Sequence, residues 1–446
     1  MTKNLTEGSP AKLILFFTLP LIAGNIFQQM YAFVDTLIVG RFLGVKALAA
    51  VGCTGSLMFL MIGFVMGTTT GLSIFTGQRF GAKDARGVRR SAAACAVLTF
   101  VIAAILTVLG WISARPLLVL MQTPPEILED AISFISIVYG GVALMMFFAM
   151  QTNLIRALGD SQRPTYLLAF GLILNIIFEP IFIIGLGWGV PGAALATVAS
   201  QVVANLVCLI YIAKKVPALW IEKEDWKLTR KELYHHLRMG LPMGFQASVI
   251  ALGAIILQVA LNGLGPLAVA AYAAAQKIDM VAVMPMMSFG MAMAAYTAQN
   301  YGAQKYDRIR TGVKKCMMMS GAFSIAVGVF NILCGPFLME LFVGEGQQQV
   351  VEYGQMYLVV NGVCYFILSL LFILRYTLQG LGQTVVPTIA GGMELVMRAV
   401  AALVLVDYFG YLGACLANPM AWIGSFTPLA IAYWYLRRHS DVLREK

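Results

Sequence analysis

The chain has 446 residues, of which 60% are hydrophobic and only 12% charged; 31 Lys and Arg against 21 Asp and Glu give a formal net charge of +10. With a mean hydropathy of +0.81, this composition excludes an ordinary soluble domain and points to a polytopic membrane protein. The basic excess raises the question of a nucleic-acid partner, which the placement of the charges along the chain answers.

Apolar runs broken by Gly, Pro and charge clusters predict about twelve spanning helices, near 13–39, 50–77, 92–114, 131–153, 165–187, 190–212, 240–262, 270–298, 316–338, 355–378, 386–407 and 411–436. Runs this long satisfy their backbone in lipid only as helices, so the expected fold is all-α. The first run is too long for the apolar core of a signal peptide and lacks a small-residue cleavage site, so it is expected to stay as the first helix.

That first helix carries Asp35 in an otherwise apolar setting. A carboxylate in hydrocarbon costs several kcal/mol, so it is expected to face protein or a water-filled cavity. Asn25, Gln28 and Asp35 follow at spacings of three and seven, which gives the helix a polar side. Pro20 removes a backbone donor earlier in the same helix and predicts a bendable point.

The fifth helix enters near Thr165, which places Glu179 about 21 Å along it. Asn175 and Glu179 share a face at i, i+4. The sixth helix, starting outside near Val190, reaches Thr197 after about 10 Å. Asp35, Asn175, Glu179 and Thr197 are thus expected at one depth. Such an oxygen-rich group suits either a shared proton or a hard cation such as Na⁺; a structural hydrogen-bond cluster is the plainer alternative.

The chain then repeats itself. R-F-G-A-K-D at 79–84 returns as N-Y-G-A-Q-K at 300–305, and A-L-G-D-S-Q-R-P-T at 157–165 as G-L-G-Q-T-V-V-P-T at 380–388. G-V-P-G-A-A-L-A at 189–196 returns as G-Y-L-G-A-C-L-A at 410–417. An even number of helices per repeat makes the halves parallel, related by an axis along the membrane normal. The expected organisation is an N-terminal lobe over 1–213, a cytoplasmic linker over 214–238 and a C-terminal lobe over 239–446: two pseudo-symmetric six-helix lobes with a central cleft. Thr229 and Glu232 have capping-box spacing, which predicts a short surface helix in the linker.

In the second half, Glu394 and Arg398 at i, i+4 predict an intrahelical ion pair. Arg375, and Lys277 with Asp279, are placed near helix ends, where snorkelling is expected. Gln201 and Gln246 join Pro20, Asn25, Gln28, Glu394 and Arg398 as candidates for lining or gating the cavity. The 25 methionines suit an adaptable apolar wall or plain core filling.

With the odd helices running outward, Lys and Arg concentrate at 79–90, 214–238, 305–315 and 437–446, whereas the opposite loops carry Glu126, Glu129, Asp130, Glu340, Glu345, Glu352 and Asp407. That is the positive-inside pattern with both termini cytoplasmic, and Arg41 and Lys46 are mild exceptions. The charge therefore reports orientation and implies no nucleic-acid partner. Seven scattered cysteines without a C-x-x-C pair read as small core residues, and the three histidines form no ligand cluster.

V-D-T-L-I-V-G-R-F-L-G at 34–44, followed by A-L-A-A-V-G, with G-Q-R-F-G-A from Gly77 and R-A-L-G-D from Arg156, resemble the multidrug and toxic compound extrusion (MATE) transporters over essentially the whole chain. The resemblance implies two six-helix lobes and export of cationic or amphiphilic compounds driven by inward Na⁺ or H⁺, with no cofactor. It maps the family's ion-coupling pattern onto Asp35, Asn175, Glu179 and Thr197, where many relatives have Asp at the position of Glu179. Helix seven offers Gln246, Gln258 and Asn262 where some branches carry acids, so the chain looks more like the DinF-type bacterial branch.

The expected function is an ion-coupled antiporter in the cell membrane, working as a monomer by alternating access. The nearest alternative is a flippase for a lipid-linked precursor, which would need several cations lining its cavity. An intramembrane enzyme is not expected, because no H-E-x-x-H or G-x-S-x-G pattern is present.

Overall fold

The computed structural model describes residues 4–344 and 346–440; Glu345 and the basic residues after 440, counted above toward the charge pattern, lie outside the described residues. The chain is helical throughout, in the order α1 (Pro10–Leu43), α2 (Val45–Cys53), α3 (Gly55–Gly81), α4 (Ala85–Leu120), α5 (Pro125–Gly140), α6 (Val142–Ala157), α7 (Gln162–Pro180) and α8 (Gly189–Lys215). There follow α9 (Arg230–Gly263), α10 (Pro266–Gly302), α11 (Tyr306–Val343), α12 (Gln348–Gly380), α13 (Val385–Val400), α14 (Val406–Phe409) and α15 (Tyr411–His439). Among the described residues, ten helices, counting the π-turn continuations of α7 and α13, are long and apolar enough to cross a membrane. The pair α5 and α6, bent by 44°, makes an eleventh span. α15, interrupted in composition by Asn418, Pro419 and Pro428, completes the twelve expected. This is an all-α multi-pass membrane protein of two six-helix halves.

The halves repeat in backbone detail as well as in sequence. Positive φ recurs at Gly44 and Gly265, Lys83 and Gln304, Gln122 and Gly344, Gly159 and Gly382, and Gly189 and Gly410. Each half also contains a five-residue π-turn, Ile181–Gly185 after α7 and Ala401–Leu405 after α13. The copies differ where helices break: α2 and α3, and α5 and α6, are separate in the first half, whereas α10 and α12 run unbroken.

Two compact units result. One holds Pro20–Gly244; the other holds Leu5–Leu19 together with the chain from Phe245 onward. Both division points fall in or beside a Leu-Pro pair, Leu19-Pro20 in α1 and Leu241-Pro242 in α9. The packing units therefore divide the chain differently from cuts at 213 and 239.

In the first unit, the start of α9 crosses α3 backbone to backbone. A Cβ on Gly67 would come within 2.4 Å of the Met243 carbonyl oxygen, and one on Gly71 within 2.7 Å of that of Met239. Gly240 and Gly244 make the reciprocal approach to Leu72 and Thr68. Two small-xxx-small faces thus meet, the packing that lipid-embedded helices use where apolar burial drives nothing. The linker has no surface helix of its own. It makes two short 3₁₀ turns, Pro217–Leu219 and Lys223–Trp226, and the Thr229–Glu232 capping box starts α9 instead. Arg89 bonds Asp225 at 2.8 Å and Arg90 bonds Glu232 at 2.7 Å, which fastens the linker to α4. Burial pushes the Asp225 carboxyl up, but the Arg89 hydrogen bond and the Glu222 backbone N–H outweigh it and hold the group below its usual value.

The second unit is fastened in a related way at its own leading segment. Leu5 N–H donates to Gln299 Oε1 at 3.0 Å, and Lys305 Nζ donates to the Thr6 carbonyl at 2.9 Å. Leu5 and Thr6 are buried.

Candidate ion site in the first unit

The inward side of α1 is set by Tyr31 and Asp35, one turn apart, while Phe33 and Leu37 are exposed on the apolar side. Asp35 is half-buried and its carboxyl faces that of Glu179 on α7. Glu179 and Asn175, a turn apart on α7, are both fully buried. Asn175 Nδ2 donates to Thr197 Oγ1 on α8 at 3.4 Å, and Thr197 in turn donates to the Ala193 carbonyl at 3.3 Å. Asp35, Asn175, Glu179 and Thr197 therefore come together from three helices of one unit.

Tyr31 completes the group and was not singled out from the sequence. Its hydroxyl stands against Thr197, Ser200 and both carboxyls without a hydrogen bond of full geometry. The signal was available: Tyr31 lies at i−4 from Asp35 and so on its face. Ser200 is buried on α8 and donates to the Thr197 carbonyl at 2.8 Å.

What distinguishes the group is its surplus of acceptors. Asp35 Oδ1, Asn175 Oδ1 and both carboxylate oxygens of Glu179 are buried with no hydrogen-bond partner in the protein, as is Tyr31 Oη. Buried polar atoms almost always find partners, and each one that does not costs about 1–3 kcal/mol. Two facing carboxylates add repulsion, roughly 4 kcal/mol for unit charges about 4 Å apart at an effective dielectric near 20. One positive charge, a proton or a hard monovalent cation, relieves both costs, and an all-oxygen donor set suits either.

The chain immediately beyond Glu179 is irregular. Pro180 offers no N–H, and the Leu186 N–H reaches back five residues to the Ile181 carbonyl at 2.9 Å, closing the π-turn. Such turns are frequent at functional sites because they re-aim the side chains beside them.

The remaining candidates are placed elsewhere. Gln28 is exposed and Asn25 half-buried. Gln201, one turn after Thr197 on α8, has a buried Oε1 without a partner. The Pro20 carbonyl accepts from Thr165 Oγ1 at 2.7 Å, which ties α1 to the start of α7. In the second unit Gln246 donates to the Pro387 carbonyl at 2.8 Å and accepts from Gln379 at 3.0 Å.

Glu394 and Arg398 pair within α13 at 3.1 Å. Arg375 does not snorkel as expected: it is buried, bonds Glu394 at 2.8 Å and also donates to Ser425. Asp279 is likewise buried in the helix bundle, held by Tyr357 and Tyr365. An aspartate is too short to reach an interface from mid-helix, whereas Lys277 beside it is exposed.

The repeated loop motifs have structural duties. Asp84 accepts from the Gly87 N–H at 2.8 Å, capping α4, and pairs with Arg79 at 3.1 Å. Asp160 accepts from the N–H groups of Gln162 and Arg163 at the start of α7.

The MatE family model matches this chain twice, over residues 20–181 and again over 242–404, one match per half. The chain is 29% identical over 400 residues to the probable multidrug resistance protein YoeA of Bacillus subtilis (strain 168), covering 87% of this chain and 85% of that protein. It is 27% identical over 381 residues to the probable multidrug resistance protein YpnP of the same organism, covering 85% and 84%. A solved structure described as the outward-facing conformation of a multidrug resistance MATE family transporter of the MOP superfamily superposes with a TM-score of 0.89 at 25% identity, over 99% of this chain and 98% of that one. The chain belongs to the MatE family and is a membrane transporter, not an enzyme.

Proposed function

We propose that this transporter is an exporter of small organic compounds, cationic or amphiphilic, driven by inward movement of H⁺ or Na⁺ through the Asp35–Asn175–Glu179–Thr197 site, with Tyr31 as a fifth member. The observation that carries this reading is the set of buried, partnerless oxygens around two facing carboxylates. The surplus of buried acceptors over donors supports a site that takes a positive charge rather than a purely structural cluster. The multidrug resistance proteins to which the chain is similar support small organic substrates.

Coupling follows if ion and substrate favour different states of the transporter. Loading the site discharges the repulsion between α1 and α7, so the packing of α1 differs between loaded and empty forms. Substrate affinity then changes with ion occupancy by the differential affinity of the ion for the two states, and by no more. Alternating access of the two lobes, both termini in the cytoplasm and function as a monomer complete the reading. The flippase alternative is not favoured: it would need several cations lining its cavity, and the buried arginines Arg375 and Arg398 both pair with Glu394.

The test is substrate export from proteoliposomes under an imposed proton gradient and then a sodium gradient. One gradient is expected to drive export by the native protein and to fail with Asp35→Asn. Undiminished gradient-driven export by Asp35→Asn would defeat the assignment.

A further inference from the structure

The linker between the two repeats sorts its charges by sign. Its acids are Glu222, Glu224, Asp225 and Glu232, and arginines of α4 face all of them. Arg89 bonds buried Asp225 at 2.8 Å and stands 3.5 Å from Glu222. Arg90 bonds Glu232 at 2.7 Å, and Arg86 lies 3.9 Å from Glu224. Arg90 also donates to the Lys227 carbonyl at 2.9 Å. The acids thus hold the linker to α4.

The linker's own cations are left over. Lys223, Lys227, Arg230, Lys231 and Arg238 are exposed and make no ion pair among the described residues. Lys214 and Lys215 are unpaired as well, but they close the last turn of α8, where the helix dipole favours a cation. Arg230 and Lys231 have no such reason. They open α9, at the positive end of its dipole, where a cation is disfavoured. A negative charge from outside the chain offsets that cost.

Aromatic residues accompany these cations. In α9, Glu232 and His236 form the inward face, bonded to Arg90 and Ser91. Arg230, Tyr234 and Arg238, at i, i+4 and i+8, share another face and are exposed. Tyr234 lies two residues from Glu232, about 200° round the helix. Trp226 follows buried Asp225 and is itself exposed, as is Trp220. The Trp220 indole N–H donates to the Ile212 carbonyl at 3.1 Å, which holds the ring beside the last turn of α8. That helix has 27 residues and so is about 40 Å long, enough to cross the hydrocarbon and end in the headgroup layer. Tryptophan and tyrosine flanked by lysine and arginine settle at that level, with rings in the interface and charges among the phosphates.

We propose that the linker is a docking surface for anionic lipid. Headgroups of net negative charge lie against Lys223, Lys227, Arg230, Lys231 and Arg238, while Trp220, Trp226 and Tyr234 sit in the interface. A zwitterionic bilayer offers the same interface without net charge, and so accommodates the aromatics but not the cations. The segment joining the repeats is fastened on two sides, to α4 by its acids and to the membrane surface by its bases. This inference is independent of the ion site and of the direction of transport. The proposed orientation decides only that the leaflet is the cytoplasmic one.

The full chain is placed in nanodiscs of phosphatidylcholine with a rising fraction of phosphatidylglycerol. Both leaflets have the same composition, so the outcome does not depend on orientation. Tryptophan quenching by brominated phosphatidylglycerol is compared with quenching by brominated phosphatidylcholine. The chain has six tryptophans, and the linker's share is the difference between the native protein and a Trp220→Phe, Trp226→Phe variant. That share is expected to be quenched more by the anionic lipid, and the preference to vanish in high salt, which screens exposed charge. Arg230→Gln and Lys231→Gln are each expected to lower the preference by up to about fivefold. Equal quenching by the two lipids overturns the proposal, because burial in the interface would then involve no recognition of charge. A linker share that neither lipid quenches, or a preference that survives in the Arg230→Gln, Lys231→Gln double variant, overturns it too. Should a substituted chain fail to fold, the native protein decides alone. Its total quenching must favour the anionic lipid at low salt and lose that preference at high salt, and a preference that is absent or unmoved by salt overturns the proposal.

Discussion

Replacing Glu179 by Gln tests the first-unit site without touching its shape. Glu179 is fully buried with both carboxylate oxygens unpartnered, each costing about 1–3 kcal/mol until a cation or proton arrives. A neutral amide at the same place offers two N–H donors to Asp35 and Asn175 Oδ1 and retires the like-charge repulsion. The variant is therefore expected to be at least as heat-stable as the native protein in ion-free buffer. The native protein, by contrast, gains about 2.7 kcal/mol at a cation concentration 100 times its Kd. For a unit of about 200 residues that is a rise in apparent Tm of roughly 5–10 °C. The assay is thermal unfolding in detergent at a fixed scan rate, across a series of Na⁺ concentrations and pH values. Glu179→Gln is expected to flatten the cation dependence. The reasoning fails if the variant keeps the whole shift. It fails equally if the variant loses more than about 3 kcal/mol in ion-free buffer, because the carboxylate would then be an anchor already satisfied by the protein.

Gly67→Ala pushes a methyl group to 2.4 Å from the Met243 carbonyl oxygen and is expected to cost about 1–3 kcal/mol by overpacking. Gly392→Ala, which meets nothing within 4 Å, serves as the control, and equal melting of the two variants would contradict the backbone-to-backbone crossing. Asp225 is held below its usual carboxylate value. Its contribution is thus complete above the unfolded value of about 3.9 and disappears as pH falls through the lower folded value. The linker is expected to leave α4 only in strong acid, read as a change in Trp226 fluorescence, and release near neutral pH would contradict the Arg89–Asp225 contact. Arg375→Met removes one of the two cations on buried Glu394 and is expected to cost up to about 3–5 kcal/mol in thermal unfolding; a neutral effect would show that Arg398 alone satisfies the acid.

Much of this architecture can be read from spacing. Apolar run length locates twelve spans, and the ordered return of glycines, prolines and polar residues reveals the repeat, because a repeated backbone needs positive φ at the same places, as at Gly159 and Gly382. The convergence of Asp35, Asn175, Glu179 and Thr197 follows from depth and helix face alone, and the structure places the four together. Depth arithmetic fails where the partner lies on another helix. Arg375 looks like a helix-end residue until Glu394 arrives from α13 and Ser425 from α15. Asp279 looks peripheral until two tyrosines of α12 reach it. The π-turns leave no periodic signature, since five residues shift the helical phase too little to read. The breaks before Gly55 and at Gly141 are equally silent, because the unbroken copies α10 and α12 show that the pattern is compatible with continuity.

The central claim is that a cation at Asp35 and Glu179 and a substrate elsewhere in the transporter oppose each other through one equilibrium. The most direct measurement is substrate affinity as a function of cation concentration, in the native protein and in Asp35→Asn. Reciprocity requires that if the cation weakens substrate binding by some factor, the substrate weakens cation binding by the same factor. The account predicts a loss of about 5–150-fold in substrate affinity at saturating cation, absent in Asp35→Asn. Native substrate affinity that does not change with cation concentration, or a dependence that persists in Asp35→Asn, would contradict it.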